Sequence, residues 1–412
     1  MTERRLHGKN VRHPLLWLFI VQMLSMGAME MSAPFWALHF KATGQLSAHW
    51  LAIASGVAYA GPMVMAMCFT PLWGRLGDRY GHKPMLLRAL FALALTQLCI
   101  AWLNDTFSIL VMRLVQGGLA GFIAASQAYG TTLVNREGRS ALMAKLQVAT
   151  AMGSMIGPLL GGIIFDFYSF AWLNLIAALI CFGCALAAWW LLPATQVKKV
   201  SKSSEATTEV SLPFAAFFGL LLGIVLVQAG KMMPQAFFGI FAEQTLHASA
   251  TVVGLCYGAV AVGLCVAAPI WGKRFAHQSQ SQVLQQVEWI TWVCVLVVMA
   301  QAMSSNIVIF IVARVVWGIC LGALLPVFYS LLSKAAADHQ QGHVLGLGNS
   351  AAKAGALIGI GVGAVTMIWL PVAYLFWPVV VTYGVAALGI RLLRLKPQVF
   401  SPTPSASLTN PS

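Results

Sequence analysis

The chain has 412 residues, of which 59% are hydrophobic and only 9% charged, with a mean hydropathy of +0.80. A soluble domain wets its surface with roughly 25% charged residues, so a soluble enzyme or a nucleic-acid-binding protein is excluded and lipid becomes the main solvent. The net charge of +14 then has to be explained by where the basic residues lie.

In chain order, a short basic segment (1–13) precedes the first of twelve apolar runs, each near or above the ~20 residues that cross a bilayer. They are read at 14–40, 50–73, 84–104, 107–131, 142–165, 168–192, 213–241, 250–272, 284–303, 306–333, 344–369 and 371–393. The first run is too long for a cleavable signal and no small-x-small site follows it, so it is expected to stay as an anchored helix. A stretch rich in Lys, Ser, Thr and Glu (193–212) is the only long polar interruption and is expected to be a flexible linker between two six-helix halves, 14–192 and 213–394. The Pro- and Ser-rich tail (395–412) is expected to be disordered.

The basic residues follow this map. Arg4, Arg5, Lys9 and Arg12 precede span 1, and Arg75, Arg79, Lys83 and Arg88 flank loop 2/3. Arg136, Arg139 and Lys145 mark loop 4/5, and Lys198, Lys199 and Lys202 mark loop 6/7. Lys273 and Arg274, then Lys334, then Arg391, Arg394 and Lys396 continue on the same side, whereas Lys41 alone falls in a loop on the other. By the positive-inside rule both termini are cytoplasmic. The charge is an orientation signal.

The second half repeats the first at a shift of about 200 residues. Pro34 matches Pro234; Pro71, Trp73 and Gly74 match Pro269, Trp271 and Gly272; Arg113, Gly117 and Gly121 match Arg314, Gly318 and Gly322; Gly153, Gly157 and Gly161 match Gly355, Gly359 and Gly363. Two parallel six-helix repeats about an axis along the membrane normal form a transporter architecture with a substrate site between halves that rock.

Three stretches resemble signatures of the major facilitator superfamily. Gly74-Arg75-Leu76-Gly77-Asp78-Arg79-Tyr80-Gly81-His82-Lys83 is similar to its loop 2/3 motif, with His82 where Arg is usual. Arg113-Leu114-Val115-Gln116-Gly117 resembles the span 4 motif, and Gly153 with Gly157-Pro158-Leu159-Leu160-Gly161-Gly162 resembles the span 5 antiporter motif. The resemblance covers essentially the whole chain. It implies an all-α fold of twelve transmembrane helices in two pseudo-symmetric bundles, a place in the drug:proton antiporter branch, and export as the direction. The loop 8/9 copy lacks the Asp, and Ile360 replaces the motif proline in span 11.

The motifs also have a mechanical reading. Asp78 can accept from helix N-terminal amides or basic neighbours across a tight glycine-lined loop, so Gly74, Asp78, Arg79, Gly81 and Lys83 are expected to form a conformational latch rather than a solvated turn. Gly153, Gly157 and Gly161 offer a small face at four-residue spacing for a neighbouring helix, and Pro158 removes a backbone bond beside it; the alternative is ordinary close packing.

Charged side chains inside spans cost at least ~2.5 kcal/mol each on insertion scales and are functional candidates for that reason. They are Glu30, Arg113, Lys231, Arg314 and Lys353, with Asp166 and Glu288 near span ends. Glu30, the one carboxylate well inside a span, is expected to couple transport to protons or to bind substrate, tuned by Lys231; a static ion pair is the alternative. Arg113, with Gln116 a turn beyond, organises the cavity or merely snorkels. The excess of cations points to an anionic or zwitterionic substrate, such as a carboxylate-bearing siderophore. Met23, Met26, Met29, Met31, Phe35 and Trp36 of span 1 and Tyr59, Met63 and Met67 of span 2 would suit an adaptable drug cavity or lipid contact equally.

Other classes fit less well. No Gly-Lys pair is followed by Ser or Thr, so no phosphate loop supports an ATP-driven pump. Gly348-Asn349-Ser350-Ala351-Ala352 lacks the second glycine of a serine-hydrolase elbow, all nine histidines lie at or outside span ends, and no soluble signalling domain is present. The eight cysteines lie in apolar segments without metal-ligating neighbours and read as packing. The expectation is therefore a monomeric multi-pass transporter, without cofactor or metal, working by alternating access on a small molecule and protons in a bacterial inner membrane. A proton-coupled importer is the alternative; an intramembrane enzyme or a non-transporting sensor comes after it.

Overall fold

The computed structural model describes residues 12–44, 46–119, 121–135, 138–194, 214–276, 278–335 and 341–395. The linker and tail readings fall almost wholly outside these residues. Among the described residues, twelve helices are long and apolar enough to cross a membrane. Spans 1 to 6 are His13–Ala42, Ala48–Tyr80, His82–Trp102, Thr106–Leu133, Ala141–Phe167 and Phe170–Leu191. Spans 7 to 12 are Phe217–Leu246, Ala250–Phe275, Ser281–Met303, Ile307–Ser333, Val344–Trp369 and Val372–Leu395. The side at which spans 2 and 3 join is called the basic face below, and the opposite side the far face.

Among the described residues three spans are broken well inside their length, and span 12 opens with a 3-10 turn, Val372–Tyr374, before its α-helix Trp377–Leu395. In span 1 the α-helix Arg12–Glu30 gives way to a 3-10 turn, Ala33–Phe35, before Trp36–Ala42 resumes. Span 7 copies this with Phe214–Met232, Gln235–Phe237 and Phe238–Leu246. Pro34 and Pro234 cannot donate the backbone bond that would continue each ladder, and the chain tightens to i→i+3 bonds instead, Phe35 N to Ser32 O at 3.0 Å and Phe237 N to Pro234 O at 3.2 Å. Span 4 breaks at Gly121, which adopts φ +86° between Thr106–Leu119 and Phe122–Leu133. Its copy, span 10, runs unbroken from Ile307 to Ala335.

The loop 2/3 motif is shorter as a loop than its glycines suggest. Span 2 stays helical through Gly74, Asp78 and Tyr80 and stops only at Gly81, whose φ of +99° ends the helix. Glycine within a helix costs only about 1 kcal/mol, and at Gly77 it lets the His82 ring and Met85 of span 3 approach closely. The expected glycine-lined loop is therefore a helix end with a one-residue corner.

Packing follows the repeat. Gly153, Gly157 and Gly161 of span 5 lie against the backbone carbonyls of Met23, Gly27 and Met31 in span 1, with no room for a Cβ. Gly355, Gly359 and Gly363 of span 11 lie the same way against Val225, Ala229 and Met233 of span 7. Trp73 donates to Gly118 O at 2.7 Å, and Trp271 to Ile319 O at 2.9 Å. Such close contact of small residues replaces the hydrophobic drive that lipid removes.

The halves meet on the far-face side. Gly162 of span 5 abuts Ala250 and Thr251 of span 8, Pro158 abuts Gly254, and Met155 abuts Gly258. Gly56 of span 2 faces Ala364 of span 11, and Gly239 of span 7 faces Pro34. Toward the basic face the same helix surfaces separate: Ala144 and Val148, which continue the Met155 face of span 5, are exposed. The molecule is closed at the far face and open at the basic face.

Candidate functional site

The open cleft ends near the breaks of spans 1 and 7. Glu30 is the last residue of the first segment of span 1 and Lys231 the last but one in the corresponding segment of span 7. A helix C-terminus carries partial negative charge, which suits an ammonium and opposes a carboxylate. Glu30 therefore depends on other charges, and those that reach it are Arg113 of its own half and Lys231 of the other half. None of the described ion pairs joins it to either cation within 4.0 Å. All three side chains are half-buried.

Arg113 is held from several directions. Its Nε and Nη2 donate to Ala58 O of span 2 at 3.1 and 2.9 Å, its Nη1 donates to Gln116 Oε1, and its guanidinium stacks on the Trp36 ring at 4.7 Å. Arg314 repeats the motif in the second half. It is buried, its Nε donates to Cys256 O of span 8 at 3.0 Å, and it lies 4.4 Å from the Phe238 ring and 5.4 Å from that of Trp317. A planar fork that both bonds and stacks is a task for arginine, not lysine.

Next in sequence to those two acceptors stand Tyr59 and Tyr257. Their hydroxyls share a hydrogen bond of 2.6 Å across the halves, and the charge of Glu30 reaches both. The bridge lies between the open cleft and the sealed far face. Reading charged residues alone passed over this pair; the repeat shift of 198 residues that links Trp73 to Trp271 links Tyr59 to Tyr257 as well.

Span 11 adds Lys353. Its exposed positions divide into an apolar stripe that includes Ile358, Val362 and Val365, and a second stripe with Gly346, Asn349, Ser350 and Lys353. The second stripe lies in line with Ala364, the residue that faces Gly56 across the seam, so at 3.6 residues per turn Lys353 points into the cleft below the closure. Met63 and Met67 of span 2 are half-buried on the facing surface, whereas Met26, Met31, Phe35 and Trp36 are buried in the first half.

The expected latch residues are not gathered into one contact in this state. Asp78 is exposed and, among the described residues, pairs only with His82 Nε2, at 3.9 Å. Arg79 lies over its neighbour Tyr80 at 5.4 Å. Lys83 donates instead to the carbonyls of Trp189 and Leu192, at the C-terminal end of span 6. Of the span 5 motif, Gly153, Gly157 and Gly161 hold span 1, while Pro158 and Gly162 form the seam with span 8.

Asp166, placed by the sequence only near a span end, makes more contacts between halves than any of these. It accepts from Ala250 N at 2.8 Å, from Thr251 N at 2.7 Å and from Thr251 Oγ1 at 2.6 Å. Nearby on the far face, Lys41 and Glu243 form an exposed ion pair between spans 1 and 7. Glu288 pairs with Arg394 at 3.2 Å, linking spans 9 and 12 within the second half.

Comparison with known proteins follows the same lines. The family model described as Major Facilitator Superfamily matches residues 18–273 and 220–410. The Staphyloferrin B transporter of Staphylococcus aureus is 26% identical over 94% of this chain and 93% of its own length. The multi-drug resistance efflux pump PmrA of Streptococcus pneumoniae is 23% identical over 76% of this chain and 78% of its own. Among solved structures, the nucleoside transporter NupG superposes with a TM-score of 0.75 at 13% identity, covering 92% of this chain and 99% of that one. A D-xylose-proton symporter gives 0.69 at 15% identity, with 91% and 96% covered. At such identities the structures share the fold.

Proposed function

Since the chain belongs to the major facilitator superfamily, whose members are transporters and not enzymes, we propose that it is a proton-coupled exporter of small organic acids or zwitterions that works by alternating access. One arrangement carries the reading: Glu30 ends the first segment of span 1 in one half, Lys231 stands in the last turn of the matching segment of span 7 in the other, and Arg113 belongs to the half of Glu30. When the halves rock, Arg113 travels with Glu30 and Lys231 does not. With the far face closed, two cations support the carboxylate; with the far face open, one of them recedes and a proton takes its place. Proton movement is thus tied to conformation through a coupling between sites.

Taking the basic face as cytoplasmic, from the positive-inside rule, the state described is inward-open, ready to release a proton and receive cargo from the cytoplasm. Lys353 in the cleft, with Lys231 and Arg113 above it, supplies a path of positive charge for a carboxylate, and long-range attraction of this kind raises local substrate concentration. The similarity to a siderophore transporter along nearly the whole chain supports that cargo class, and the similarity to a multidrug efflux pump supports outward transport. Asp78, free of a latch here, is read as the residue that closes the basic face in the other state. The setting is a bacterial inner membrane, with the chain acting as a monomer.

The test is proton-driven flux in everted vesicles, comparing native protein and Glu30→Gln over iron-free polycarboxylate siderophores and lipophilic cations. Uptake of the acids into native vesicles, lost in Glu30→Gln, is the expected result. Glu30→Gln with unchanged proton stoichiometry refutes the coupling role. Cations moving in place of acids refute the cargo class, and flux only in right-side-out vesicles turns the reading into a symporter.

A further inference from the structure

The far face must open once in every cycle, so whatever holds it shut sets the balance between the two states. Beside the close-packed small residues, three polar contacts link the halves at or just below that face among the described residues. The Lys41–Glu243 pair is exposed, with side chains 38% and 46% accessible, and exposed pairs contribute little. The Tyr59–Tyr257 bond is a single neutral contact. Asp166 is exposed too, but it differs from both in accepting three bonds at once from one helix end.

Asp166 stands on the last turn of span 5, and its two carboxylate oxygens accept three hydrogen bonds from the first turn of span 8. Two of the donors are backbone amides that a helix N-terminus leaves without intrahelical partners, and the carboxylate sits at the positive end of the helix dipole. Hydrogen bonds to an ionised acceptor are roughly twice as strong as neutral ones. The cap is supplied from the other half of the molecule, so it cannot survive separation of spans 5 and 8. Below it Gly162 and Gly254 bring the two backbones close enough for the bonds to form.

We propose that Asp166 is a positioning residue for alternating access, an interdomain helix cap that latches the far face and sets the ratio of the two states. The proposal rests on rocking halves and is independent of cargo and of Glu30. Weakening the cap shifts the population toward the far-face-open state, by about tenfold for complete loss of the charge and its three bonds. The position equivalent to Asp166 at the repeat shift is Ile368, so the second half has no matching cap.

Hydrogen exchange read by mass spectrometry on the full chain in nanodiscs tests this without any substrate. Asp166→Ala is expected to speed exchange about tenfold in far-face peptides at 247–255, and to slow it at the basic face, at 139–150 and 344–353. The reciprocal slowing marks a shift between states. Faster exchange confined to the first turn of span 8, with the basic face unchanged, reduces Asp166 to a local cap and overturns the proposal, as does no change at all. Thr251→Val removes only the hydroxyl donor and is expected to give the same two-sided pattern at smaller amplitude, which keeps the test informative if Asp166→Ala does not fold. Failure of the Glu30 flux experiment leaves this result unaffected.

Discussion

The glycine ladders allow a sharp test of helix packing. Gly157 and Gly359 are repeat mates, and a Cβ built on either would run into the backbone of the partner helix, at Gly27 in one half and Ala229 in the other. Backbone cannot swing aside as a side chain can, so alanine forces spans 1 and 5, or 7 and 11, apart. Overpacking of this kind costs about 1–3 kcal/mol, offset by the roughly 0.5–1 kcal/mol that alanine gains over glycine in a helix. Gly183 and Gly384 supply the control, because a Cβ at either meets nothing within 4 Å. Gly157→Ala and Gly359→Ala should therefore lie about 1–3 kcal/mol below Gly183→Ala and Gly384→Ala in stability. The assay is reversible unfolding in mixed micelles with rising sodium dodecyl sulfate, followed by tryptophan fluorescence. Equal stability of the ladder and control variants would refute the packing argument, and loss at Gly157 without loss at Gly359 would refute its symmetry.

Two further outcomes follow from the charged contacts. Arg113→Lys keeps the charge but loses the fork on Ala58 O and the stack on Trp36, so initial flux should fall at least about tenfold while the variant remains folded; flux within a factor of two of native would show that only the charge matters. Glu288→Gln neutralises an ion pair whose carboxylate is 9% accessible and should cost about 1–3 kcal/mol, between the values for an exposed and a fully buried pair, whereas Lys41→Ala at the exposed pair should cost no more than ~1 kcal/mol; denaturant titration of both variants checks the order.

Much of the fold was legible because lipid imposes a simple rule: a backbone that crosses the membrane satisfies its own hydrogen bonds, so apolar runs of sufficient length become helices. Each of the twelve runs corresponds to a helix, with ends that move by a few residues, most at Tyr80, where span 2 outlasts its apolar stretch. The breaks were not legible. Pro34 and Pro234 accompany breaks, yet Pro62, Pro71, Pro158, Pro269 and Pro326 lie inside continuous helices. A proline removes one bond wherever it stands, and neighbouring helices decide whether the ladder tolerates the loss. In the candidate site, Glu30 and Lys231 could be found because charge within a span is costly. The Tyr59–Tyr257 bond and the Asp166 cap were not legible, because each joins residues of different halves that only the fold brings together.

The repeat itself separates architecture from chemistry. Where mates do the same thing, the task is structural: Arg113 and Arg314 each grip a carbonyl of a neighbouring span, Trp73 and Trp271 each tie their own span to the one two further along, and both glycine ladders seat one helix on another. A carrier built only from such pairs would have two states of nearly equal energy and nothing to bias them. The symmetry fails at Glu30, where the second half places Lys231 near the equivalent position; at Gly121, whose mate lies in an unbroken helix; at Pro158, answered by Ile360; and at Asp166, answered by Ile368. A ligand or proton can shift an equilibrium only through a difference in how it interacts with the two states. These mismatches are where such a difference can reside, and the coupling role of Glu30 and the latch role of Asp166 both fall among them.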